Sequence, residues 1–347
     1  MLRSIWGIYM KVKAVEIARK LGISKATVSL ALNNKPGVSE KTREKIFECL
    51  EELNGGGPPP EKAQRSSIKK MVKIIVVDNK LRIIKDSELD LWTDVFSVFD
   101  REIKRMGYTL GLTYVSRNSR EIAQVIQEAN EENVAGVILV ATEMQPEHFE
   151  PFRMIKKPMV IYDNDLSQDH NCVAIDGVTA VRDVVDHLVA RGCHEIRYLG
   201  NTENIYNFTQ RRAGFRAGLR KNRLPLQADS IVQIGRRVED VYENMMVYLE
   251  EHRLPEAFIM ENYQVSMGVM RALREKKISV PREVSLVGVD ELPSYLTGDF
   301  LLTTVKVEHE ERANVVMMFL EQEINGVISK KFKAYSNCQL MKGNSVR

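Results

Sequence analysis

The stretch GISKATVSLALNN places Ser24, Thr27, Ser29 and Asn33 within ten residues. Hydroxyls and amides at the start of a helix can bond phosphate oxygens, which fixes register on a duplex without reading its sequence. The charge around them is uneven. Residues 1–73 hold fifteen Lys/Arg against seven Asp/Glu, a net of +8, so from a total of +3 the remaining chain carries −5. A basic end on an acidic body is the electrostatic footprint of a nucleic-acid-binding appendage.

The chemistry missing from the sequence narrows the function as well. No phosphate loop of Walker type occurs, and no GxGxxG, HExxH or GxSxG. No nucleophile stands beside a base, so no enzyme is expected and no cofactor or metal is implied. Cys49, Cys172, Cys193 and Cys338 are scattered without CxxC spacing, as reduced thiols would be. The longest apolar runs, such as VAGVILVA, fall far short of the roughly 20 residues of a membrane span. The N-terminus lacks a signal-type apolar core and cleavage site, which predicts a cytoplasmic protein without a membrane partner.

Three helices are predicted to carry the first group. Lys13–Leu21 has an apolar stripe of Val15, Ile17, Ala18 and Leu21, and Gly22 stops it. Ser24 caps a second helix over Lys25–Asn33, and Ser39 caps a third with Ile46, Cys49, Leu50 and Leu53 on its apolar side. Two short helices joined through a Gly-containing turn, with a third behind, make a helix-turn-helix whose second helix enters the major groove.

The stretch GGGPPPEKAQRSS separates this module from the body. The body alternates apolar strands, such as MVKIIVV, TLGLTYV and VSLVGV, with amphipathic helices. That pattern predicts parallel sheets covered on both faces. The count is large for one sheet, so two doubly wound lobes are expected, with a ligand between them at the strand C-termini. The expected fold is a small all-α headpiece on an α/β bilobed domain. Its boundaries are 10–54 for the helix-turn-helix, 55–70 for a linker and 71–340 for the body. The first lobe takes about 71–174 and 305–328, the second about 175–304 and 329–340.

VEIARKLGISKATVSLALNNKPGVSEKTREKI resembles the DNA-binding headpiece of the lactose/galactose repressor (LacI/GalR) family. The resemblance places Lys25, Ala26 and Leu30 at base edges, and Ser24, Thr27, Ser29 and Asn33 at phosphates. The family commonly has Arg where this chain has Leu30. Arg reads guanine bidentately, whereas Leu makes only apolar contact, for example with a thymine methyl.

The body resembles the same family and the periplasmic sugar-binding fold to which the family's effector domain is similar. QRRAGFRAGL matches an Arg-x-x-Gly-Phe pattern and places Arg211 at the effector site. ENYQVSMG and VSLVGVDELP place Asn262 and Asp290 at ligand-facing strand ends, VAIDGVTA places Asp176 near the lobe crossover, and Trp92 falls where the family carries a stacking aromatic. An aromatic face with Arg, Asn and Asp is the chemistry that holds a sugar. Each residue also has a plainer role open to it: a surface salt bridge for Arg211, helix caps for Asn262, Asp290 and Asp176, core filling or a dimer contact for Trp92.

The implied function is a repressor that binds double-stranded operator DNA as a homodimer, under control of a small effector, most simply a sugar. A solute-binding protein without DNA-dependent regulation is the alternative. Family members carry a hinge helix in place of 55–70. Glycine and consecutive prolines cannot propagate a helix through residues 55–60, and a short helix left open over 61–66 would offer only Ala63 as an apolar residue, which predicts a flexible or polyproline-like tether whose Lys62, Arg65, Lys69 and Lys70 touch phosphates.

Overall fold

The computed structural model of the chain describes residues 16–32, 37–53, 70–78, 91–116, 118–292 and 298–347. Asn33 and the tether residues Lys62, Arg65 and Lys69 lie outside them; Lys70 is described and exposed. The chain divides into two compact units, 1–67 and 68–347.

In the small unit, helical residues 16–21 (α1) precede α2 (Lys25–Leu32) and α3 (Glu40–Leu53). Ile17, Val28, Ala31, Ile46 and Cys49 form its core. Gly22 ends α1 at φ +66°, where a side chain on Cβ would be strained, and Ile23 N–H closes the turn on Ala18 O at 3.1 Å. Ser39 accepts the Thr42 N–H at 3.3 Å as the cap of α3.

The large unit contains two six-stranded sheets among the described residues. The first takes β1 (Met71–Val77), β2 (Thr109–Val115), β3 (Val134–Val140), β4 (Met159–Tyr162), β5 (Asn171–Ile175) and β11 (Lys333–Ser336), in the order β11-β5-β4-β3-β1-β2. The second takes β6 (Ile196–Asn201), β7 (Ile231–Gly235), β8 (Ala257–Met260), β9 (Ser285–Val289), β10 (Thr303–Lys306) and β12 (Gln339–Met341), in the order β12-β10-β9-β8-β6-β7. Every pairing is parallel except β10 with β12. β1, β3 and β4 are almost wholly buried, as strands covered on both faces must be.

Helices α4 (Leu91–Arg105) and α10 (His309–Ile324) cover one face of the first sheet through Val95, Phe99, Val316 and Leu320. Helix α5 (Ser119–Ala129) covers the other. On the second sheet, α6 (Gly177–Ala190) and α7 (Tyr206–Lys221) share one face, and α8 (Val238–Glu251) and α9 (Tyr263–Glu275) the other. A Cβ on Gly214 would stand 2.4 Å from Val178 O, so the Gly of the Arg-x-x-Gly-Phe stretch is what lets α7 lie against α6.

Two details differ from the sequence pattern. Residues 329–336 were expected in the second lobe, but β11 lengthens the first sheet beside β5, and Phe332 O accepts the Cys172 N–H at 3.1 Å. The strand is an edge, half-exposed and lysine-bearing, so it shows no apolar run to read. Helix α7 begins at Tyr206 rather than near Arg211, and β5, β7, α8, β10 and β12 are further elements beyond those expected from the sequence, although α8 buries Val241, Met245 and Tyr248 at helical spacing. The chain crosses between lobes three times: from β5 to α6, from β10 to α10 and from β11 to β12.

Candidate functional site

A cavity of about 70 Å³, open to solvent at its mouth, lies between the two sheets at the C-terminal ends of their strands. This is where a doubly wound fold places ligands. Its walls are aromatic: Trp92, Tyr162, Phe208 and Tyr263. Trp92 meets Tyr162 edge-on at 6.2 Å between centroids.

Two aspartates face this space, one from each lobe. Asp163 follows β4 at φ +70°, and Asp290 follows β9 at φ +71°. Non-glycine residues in the left-handed region gather at functional sites, where the surrounding fold holds them in place. The Asp163 carboxylate is fully engaged. It pairs with Arg312 of α10 and accepts from Thr142 Oγ1 at 2.7 Å and Asn207 Nδ2 at 3.0 Å. The Arg312 guanidinium also lies 4.7 Å from the centre of the Tyr162 ring. Burial pushes the Tyr162 phenol up to about 12, so it stays protonated.

Asp290 is held more loosely. Its Oδ1 is 3.7 Å from Arg211 Nη2, an ion pair without a hydrogen bond. Arg211 is anchored elsewhere, by Nη1 donating to Glu261 O at 2.6 Å. Behind it, Arg212 grips the buried Glu261 carboxylate bidentately, at 2.7 and 2.8 Å. Asn201 N–H and the Tyr198 hydroxyl donate to the same group, at 2.6 and 3.0 Å. Burial raises the Glu261 carboxyl above its ordinary range, and Arg212 opposes that rise. This buried cluster fixes the end of β8, and with it Asn262. His309 also lines the cavity; burial lowers its imidazole and the Arg312 charge adds to the effect, so it stays neutral near pH 7. Among the described residues, no three His, Cys, Asp or Glu side chains are grouped to hold a metal ion, and no helix is long and apolar enough to cross a membrane.

In the small unit, Lys25, Ala26 and Ser29 are exposed on α2, opposite the buried Val28 and Ala31. Thr27 and Leu30 are half-buried. Ser24 Oγ accepts the Thr27 N–H at 3.0 Å and shares a 2.8 Å bond with Thr27 Oγ1, so the pair also caps the helix.

Two family models match the chain: bacterial regulatory proteins of the lacI family over residues 15–54, and a periplasmic binding protein-like domain over 185–346. The chain joins a lacI-type DNA-binding domain to a periplasmic binding protein-like domain. The HTH-type transcriptional repressor PurR of Actinobacillus pleuropneumoniae serotype 3 (strain JL03) is 24% identical over 295 residues, 84% of each chain. The HTH-type transcriptional regulator GanR of Bacillus subtilis (strain 168) is 28% identical over 318 residues, 88% of this chain and 91% of that one. The lac repressor dimer bound to operator and the anti-inducer ONPF matches with TM-score 0.71 and 21% identity, over 95% of this chain and 97% of that one. The transcriptional regulator CelR in complex with cellobiose matches with TM-score 0.68 and 18% identity, over 95% and 98%.

Four of the predicted effector residues line one cavity: Trp92, Arg211, Asn262 and Asp290. Asn262 is in addition the N-cap of α9, accepting the Val265 N–H at 3.1 Å. Asp176 is not on the lining. Its Oδ1 accepts the Thr179 N–H at 2.9 Å as the N-cap of α6, the plainer of its two readings. Sequence reasoning missed Thr142, Asp163, Asn207, His309 and Arg312. A signal existed for two of them. Asp163 ends its strand in IYDN as Asp290 does in VGVD, and Arg312 lies on the same helical stripe as Val316 and Leu320.

Proposed function

We propose that this chain is a transcriptional repressor whose operator affinity is set by a small polyhydroxylated effector bound in the interlobe cavity. The observation that carries this reading is the lining itself: four aromatic rings beside Arg211, Asp290, Asn207 and Arg312, in a chain that begins with a lacI-type helix-turn-helix. Rings pack on the apolar face of a sugar, and planar polar groups take its hydroxyls. Curated relatives named as repressors and a structural neighbour complexed with cellobiose support it.

The protein acts as a homodimer in the cytoplasm, since paired headpieces on two related half-sites multiply the contacts of one small module. In each headpiece Lys25, Ala26 and Leu30 face bases, and Ser24, Thr27, Ser29 and Asn33 face phosphates. Asp176 stays at the edge of the effector site as a positioning cap. Among the described residues, hydrogen bonds that join the lobes across the cleft include Asn207 to Asp163 and Gln145 Nε2 to the Asn204 carbonyl. A ligand that favours the joined arrangement shifts the population toward it, and the coupling to DNA is reciprocal.

Operator selected from a random duplex library, then titrated by fluorescence anisotropy with and without candidate sugars, tests the reading. The expected result is a specific duplex whose affinity changes at least fivefold with one ligand. A chain that selects no duplex, or whose affinity no ligand alters, overturns it.

A further inference from the structure

The first-lobe corner of the cavity contains polar atoms that the fold leaves without partners. Arg312 Nε, the Tyr162 hydroxyl and Asn207 Oδ1 are buried and have no hydrogen-bond partner among the described residues. All three residues line the cavity and surround Asp163. Arg312 and Asn207 each spend one nitrogen on its carboxylate, and Tyr162 precedes it in the chain beneath the Arg312 guanidinium. The bond from Asn207 Nδ2 to a carboxylate fixes which way the amide points, so Oδ1 is the free end. A buried donor or acceptor left unmade is destabilising, more so on a charged group. Three at one corner of a cavity mark a place where a ligand supplies what the fold withholds.

The chemistry of the three atoms is specific. Two are donors, one of them cationic, and the third is an acceptor. The Asp163 charge is already divided among Arg312, Thr142 and Asn207, so the second edge of the guanidinium has no anion of its own. The opposite wall differs. There, among the described residues, the Asp290 carboxylate has a 3.7 Å ion pair with Arg211 and no side-chain hydrogen bond, which leaves it able to accept from hydroxyls.

We infer that the effector is a polyhydroxylated carboxylate, such as an aldonate or uronate, with its carboxylate on Arg312 and Tyr162 and its hydroxyl-bearing end toward Asp290. This rests on the effector reading above and narrows it. A carboxylate accepts from the guanidinium and the phenol together, which a lone hydroxyl does less well, and charge assistance roughly doubles the strength of such bonds. A neighbouring hydroxyl donates to Asn207 Oδ1. Asn207 belongs to the second lobe, so breaking its single bond to Asp163 opens the corner for entry.

The test is calorimetric titration of the full chain with D-gluconate and D-galacturonate, with D-glucose and D-galactose as their neutral counterparts, and with D-glucose 6-phosphate. The acids are expected to bind at least tenfold more tightly than the neutral sugars and than the phosphate ester. Tyr162→Phe removes the hydroxyl and leaves the Arg312–Asp163 pair intact. It is expected to weaken the acids severalfold more than the neutral sugars, a split that general loss of packing would not produce. Tightest binding by a neutral sugar or by the phosphate overturns the inference and leaves the effector reading standing, and so does an equal loss for both sets in Tyr162→Phe. Binding by none of the five overturns both.

Discussion

The two lobes solve the same local problem in opposite ways. Each ends a central strand with an aspartate at φ near +70°, and each sets an arginine against it. In the first lobe the pair is closed. Asp163 has three donors, and Arg312 and Asp163 expose only 1% and 6% of their side chains. In the second lobe the pair is open, at 3.7 Å and without a hydrogen bond. A closed pair fixes geometry at the cost of desolvation, whereas an open pair keeps its hydrogen-bonding capacity for a ligand. The difference teaches that similar residues at matching strand ends divide into scaffold and reader according to how many neighbours have already claimed them.

The largest effect expected from this contrast is on stability. Arg312→Met leaves Asp163 buried without its cation and should cost about 3–5 kcal/mol in chemical denaturation. Adding Asp163→Asn should recover a large part of that, because the uncompensated charge goes with it. A loss below about 1 kcal/mol for Arg312→Met would erase the distinction between the pairs. Asp290→Asn should invert the pattern. Arg211 keeps its bond to Glu261 O, so stability falls by only about 1 kcal/mol, while effector affinity drops about tenfold, or 1.4 kcal/mol. Both quantities can be read from one set of titrations and melts.

Asp176→Ala sharpens the comparison from outside the cavity. It removes one N-cap, so a stability loss of about 1 kcal/mol is expected with effector affinity unchanged. A tenfold loss of affinity instead would return Asp176 to the binding surface. The smallest effect is on pH. Burial lowers the imidazoles of His309 and His170 below the ordinary 6.5, so the unfolded chain binds more protons than the native one as pH falls below that value. Stability is then full above about pH 7 and declines toward the lowered values on acidification. His309→Gln should flatten part of that decline in melts taken from pH 7.5 to 5.5.

Much of this site was legible in the sequence, but unevenly. Arg211, Asn262 and Asp290 were found because each ends or follows a recognisable strand or motif. Asp163 ends a strand in the same manner and was passed over, because nothing local says that a carboxylate will be met by an arginine 149 residues later. Arg312 shares a helical stripe with Val316 and Leu320, but nothing in HEERANVV says that its charge will be buried against a carboxylate until its helix is laid on the first sheet. Asp176 shows the reverse case: its position near the lobe crossover suggested a ligand contact, yet the backbone of α6 claims its oxygen.

The sequence by itself determined the helix-turn-helix, the alternation of strands and helices, the division of charge and the polar residues at strand ends. These follow from local patterns of apolar spacing, capping and composition, which act within one or two turns of chain. Only the tertiary structure decided which strands share a sheet, that β11 joins the first lobe, and which aspartate is spent and which is free. Those outcomes depend on groups far apart in the chain competing for the same donors in a space without water, and that competition exists only once the lobes have formed.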